Sequence, residues 1–76
     1  MNAITTHSPV VITRAKEEAQ RMLQLKKPVP FLESEIEMEK RLKETIPVNG
    51  VEARKRQQGW IDWLSLCLEE YKALLA

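Results

Sequence analysis

The seventeen residues from Trp60 to Ala76 constrain the fold more than any other part of the chain. Both tryptophans and the one tyrosine fall here. At about 100° per residue, Trp60, Trp63, Leu64, Cys67, Tyr71, Leu74 and Leu75 share a helical sector that Ile61 and Leu68 widen to about 160°. A surface helix lying on one neighbour needs a stripe of only about 100° or a little more. This helix is therefore expected to be covered from two sides, by its own chain or by another copy.

The rest of the covering must come from little material. With 76 residues the chain has room for one small domain, and a single core of that size rarely supplies more than about 3–5 kcal/mol of net stability. A disulfide and a zinc site, two common supplements, are closed off, because Cys67 and His7 each stand alone of their kind. That leaves oligomerisation, or an idealised helical core. Hydrophobic residues make up 43% and charged residues 30%, as in a soluble globular chain, and the net charge of +1 gives no global field to draw in nucleic acid. Met1–Thr13 holds no Lys or Arg and no apolar run long enough for a signal peptide, and no stretch approaches the ~18 apolar residues of a membrane span. A reducing, cytoplasmic setting with a buried thiol is expected.

Prolines divide the chain into three segments. Pro28 and Pro30 cut after Lys27, and Pro47 cuts after Ile46, since proline resists helix continuation and biases the residue before it away from helix. The first helix is expected at about 9–26, opened by Ser8 as N-cap with Pro9 at the first helical position; Thr13 is a rival start behind β-branched Val10–Ile12. Its apolar positions are Val11, Ala15, Ala19, Met22 and Leu23. The second is expected at about 32–45, with Glu33, Glu35, Glu37 and Glu39 at its front and Lys40, Arg41 and Lys43 at its back, a polarity that suits the helix dipole. Phe31, Leu32, Ile36, Met38, Leu42 and Ile46 give it a thinner stripe. Pro47-Val48-Asn49-Gly50 is a turn, after which Asn49 can cap a helix at about 50–75, with Glu52 completing a capping box. Residues 1–8 are expected to be a flexible N-terminus ahead of one helical domain, 9–76.

Extending the third helix back past Gly59 creates a conflict, because Arg56 and Gln57 land within the apolar face, where burying a bare charge is costly. A break at Gly59 resolves it, as does a helix that projects past its partners, or an Arg56 stem lying on apolar surface with its head in water. An isolated glycine costs a helix only about 1 kcal/mol. The expectation adopted is a continuous or slightly bent helix with poorly covered first turns.

Trp60, Trp63, Leu64, Cys67, Tyr71 and Leu74 are the candidate protein interface, since aromatic anchors dominate interface energetics; the competing reading is that they form the core of a three-helix domain. Arg54, Lys55 and Arg56 are the candidate nucleic-acid contacts. Basic residues near a helix N-terminus oppose the dipole, and phosphate contact would supply a reason, with Gln57, Gln58 and Trp60 beside them. The bland alternative is a solvated turn balanced by Glu52. As a helix-turn-helix, Leu42–Trp60 fares poorly, because its loop holds a proline and Arg56 sits where the reading helix should face inward. Cys67 lies between Leu66 and Leu68 with no basic neighbour to activate it. There is no phosphate-cradling loop, no set of metal ligands and no triad, so no cofactor, metal, small-molecule substrate or catalytic residue is expected.

The sequence thus points to an all-α, three-helix domain with a long C-terminal helix, completed within the chain or by oligomerisation. A non-enzymatic protein-binding role is expected, as an adaptor or inhibitor that binds itself as a homodimer or higher oligomer and a further cytoplasmic protein. A nucleic-acid accessory role is the alternative. Membrane binding is disfavoured, because Asp62, Glu69 and Glu70 outnumber Lys72 on the polar face of the last helix.

Overall fold

The computed structural model describes residues 8–76, and these form three helices: α1 (Pro9–Gln24), α2 (Val29–Thr45) and α3 (Val51–Leu75). The domain is all-α, and no strand occurs among the described residues. Apart from Ser8, the expected flexible stretch lies outside them.

Each boundary has a local cause. The Ser8 hydroxyl accepts a hydrogen bond from the Val11 amide (3.3 Å), and Pro9 occupies the first turn, where its missing N–H goes unused. Thr13 opens nothing; its hydroxyl donates back to the Pro9 carbonyl at 2.9 Å. α1 ends two residues before the expected Lys26, because Lys26 turns left-handed (φ 55°). The Lys26 amide then reaches the Leu23 carbonyl and the Lys27 amide reaches that of Met22, both at 3.1 Å, which satisfies two orphan carbonyls in a Schellman arrangement.

α2 begins at Val29 rather than near residue 32. Pro30 falls within the first turn, where a helix needs no amide hydrogen, so the Pro28–Pro30 pair starts the helix instead of delaying it. At its other end Pro47 holds Ile46 extended (ψ 129°). The Gly50 amide donates to the Pro47 carbonyl at 2.8 Å and closes the expected turn. Neither Asn49 nor Glu52 caps α3: the N-cap is Gly50, with no side-chain cap bond. A side chain there would meet Ile46 Cγ2 at 3.1 Å and the Pro47 oxygen at 3.2 Å, which favours glycine at this turn. The helix then runs unbroken through Gly59.

α3 is central. Both α1 and α2 pack on it, and they make no comparable contact with each other. The backbone fills 40 × 28 × 15 Å, a thin slab in which the outer helices flank the long one. The core is Ala15, Ala19 and Met22 of α1, Leu32 and Ile36 of α2, and Ile61, Cys67, Leu68 and Tyr71 of α3. Two alanines let α1 approach closely, and Val29, Trp63, Leu64 and Leu66 border the cluster.

Candidate protein-binding surface

The broad face of α3 is divided between two neighbours of its own chain. On one side, α2 is tied down by polar contacts along its length. Arg54 donates from Nε (3.1 Å) and Nη2 (2.7 Å) to the Ile46 carbonyl, the group that Pro47 strips of a helical partner. Gln57 donates to the Glu39 carbonyl (3.0 Å) and carboxylate (2.8 Å), Lys43 donates to Gln58 Oε1 (2.6 Å), and Lys72 pairs with Glu33 (3.0 Å). These contacts run antiparallel, from residue 46 against 54 to residue 33 against 72. On the other side, Lys16, Ala19 and Gln20 of α1 meet Glu70, Ala73 and Leu74 across a cleft of about 220 Å³. Leu64 and Leu68 floor the gap between α1 and α2, beside Met22, Leu32 and Ile36.

The six residues expected at an interface therefore separate. Cys67 and Tyr71 are buried inside the chain, and Trp63 and Leu64 are half-buried against the core. Trp60 is 47% exposed and Leu74 is 40% exposed. A partner meeting this face would reach Trp60 and Leu74, together with exposed Leu75, while Cys67 and Tyr71 serve the fold. The Tyr71 hydroxyl donates to the Lys27 carbonyl at 2.5 Å, pinning the α1–α2 connection to α3. Burial, and secondarily the charge of Glu18, push the Cys67 thiol up to about 11, so it is protonated at neutral pH and a poor nucleophile.

The basic triplet separates as well. Arg54 is partly buried and spends its guanidinium on Ile46, so its position near the N-terminus of α3 is explained by capping α2. Lys55 and Arg56 are exposed. Arg56 meets the register conflict by standing in solvent, and Gln57 meets it by hydrogen bonding to α2.

One surface escaped the sequence reading. Of the six apolar residues assigned to the α2 stripe, Ile46 lies beyond the helix in extended backbone and the other five lie on two lines. Leu32 and Ile36 face α3, whereas Phe31, Met38 and Leu42 are exposed by 53%, 60% and 49%. At about 100° per residue the exposed three fall within about 40° of one another, on a line about 120° from the buried pair. The signal was in the spacing, seven then four residues for the one line and four for the other.

Among the described residues no helix is long and apolar enough to cross a membrane, and no group of three or more His, Cys, Asp or Glu is placed to hold a metal ion. Comparison with family models, curated proteins and solved structures found no match.

Proposed function

We propose that this chain is a small non-enzymatic protein-binding module, adaptor or inhibitor in kind, that self-associates and offers the uncovered part of α3 to a partner protein. The observation that carries the reading is Trp60. A large aromatic side chain is held nearly half-exposed on a rigid helix, beside half-buried Trp63 and Leu64, which pack against the core. Such an anchor gives up little conformational entropy on binding and removes a large apolar area from water. Arg56 and Lys55, about one turn before Trp60, would set register more than affinity.

The test places a photo-crosslinking residue at exposed Arg56, one turn before Trp60 on the same face, in the cells that make the protein. A discrete protein adduct is expected, and it should vanish when the same residue replaces Glu69 on the opposite face. The Trp60→Ala variant should keep its melting temperature and lose that partner. Absence of any adduct, or binding of a labelled oligonucleotide that weakens steeply with salt, would overturn the reading in favour of a phosphate-binding role for Lys55 and Arg56.

A further inference from the structure

The outward line of α2 has the properties of a surface that pairs with itself. Phe31, Met38 and Leu42 form one apolar row along a 17-residue helix whose other face is fixed to α3. Charge is graded along the helix, with Glu33, Glu35, Glu37 and Glu39 preceding Lys40, Arg41 and Lys43 ahead of a final Glu44. At about 100° per residue Glu35, Glu39 and Arg41 are the ones nearest the row, with Glu37 further round on the Arg41 side. Several of these are engaged within the chain: Glu33 with Lys72, Glu37 with Lys40, Glu39 with Gln57 and Lys43 with Gln58. Among the described residues Arg41 makes no ion pair. It shares a shallow surface groove with Pro30, Ser34, Glu37 and Met38, which puts Arg41 and Glu37 on the same flank of the row.

We propose that this row is a docking surface for the α2 helix of a second copy, packed antiparallel about a two-fold axis at Met38. The inference rests on the self-association half of the reading above and moves that contact from α3 to α2. The charge order selects the direction. Parallel pairing would stack the glutamates of one copy on those of the other, whereas antiparallel pairing sets each acidic half against a basic half and opposes the two helix dipoles. An antiparallel two-fold also brings like flanks together. Arg41 lies three residues to one side of Met38, and Glu37 of the other copy maps one residue to that same side, about 3 Å away along the axis at 1.5 Å per residue. Phe31 likewise falls within a turn of Leu42 of the other copy. A surface that satisfies itself in this way fits an isologous dimer.

Its size sets its strength. A stable complex buries about 800 Å² per partner, and one face of a single helix with three apolar side chains offers less. The dimer is therefore weak and concentration-dependent, and the fold of each copy does not require it.

Sedimentation or light scattering of the full chain over a concentration series tests the proposal. The wild type should show a reversible monomer–dimer equilibrium. Met38→Glu should weaken it at least about tenfold, the equivalent of 1.4 kcal/mol, with the helical signal unchanged because Met38 is exposed. Arg41→Glu should weaken it several-fold, and the exchange of charges in Glu37→Arg with Arg41→Glu should restore it. Trp60→Ala should leave it intact. A dimer indifferent to Met38→Glu, or one lost in Trp60→Ala, would overturn the α2 assignment while leaving self-association standing. A chain that stays monomeric throughout would overturn both.

Discussion

The side chains that hold this fold do so through partners that the sequence hides. The helical spacing of the C-terminal segment marks Tyr71 as apolar-facing, but its hydroxyl finds a main-chain carbonyl 44 residues away. A carbonyl belongs to every residue, so no sequence pattern could have named Lys27. Lys26 is similar: the left-handed position that ends α1 is usually a glycine, and here a lysine fills it, so the helix was expected to run on. Arg54 is a candidate phosphate contact from sequence because its charge opposes the dipole, and the carbonyl it caps is visible only with the turn in place. The Tyr71 contact gives a direct prediction. Tyr71→Phe keeps the ring and removes the hydrogen bond, leaving a partly buried carbonyl without its donor. Stability should fall by about 1–2 kcal/mol, read as a lower urea midpoint at unchanged m-value. An unchanged midpoint would mean that water serves the Lys27 carbonyl equally well.

At the scale of elements, the punctuation was more legible than the exact limits. Ser8-Pro9 opens α1 as its chemistry demands, and Pro47 ends α2 by forcing Ile46 extended. Pro30 lies within α2 and not ahead of it, because the residue that breaks a helix interior is harmless in a first turn, and only the backbone shows which position it holds. Asn49 lost the cap to Gly50, where the close approach of Ile46 and Pro47 favours the smaller residue. The expectation that α3 continues through Gly59 with lightly covered first turns agrees with the structure, in which a Cβ added at Gly59 would meet nothing within 4 Å. Gly59→Ala should therefore stabilise the protein by about 1 kcal/mol through helix propensity alone, raising the melting temperature by about 4–8 °C for a domain of this size. A lower melting temperature would show that the helix bends at Gly59 in solution.

For the whole molecule, the width of one apolar face decided the architecture. A sector of about 160° needs two neighbours, and α1 and α2 supply them from opposite sides of α3 without closing on each other. What the sequence left open was whether those neighbours belonged to the same chain. The answer lies in the two connections, the turn at Lys26 and the Arg54–Ile46 cap, which fold α1 and α2 back onto one central helix. Because most of the face is covered from within, the apolar surface left exposed is smaller: the two ends of that face at Trp60 and Leu74, and the Phe31–Met38–Leu42 row on α2. The central claim is that one copy suffices to fold. Far-UV circular dichroism with thermal melting, over dilution by at least about 100-fold into the monomeric range, tests it most directly. A weak dimer raises the melting temperature slightly at the concentrated end by mass action, but the dilute chain should keep its full helical signal and reach a constant melting temperature. Loss of helix on dilution would contradict the account, because it would mean that a second copy covers the face of α3.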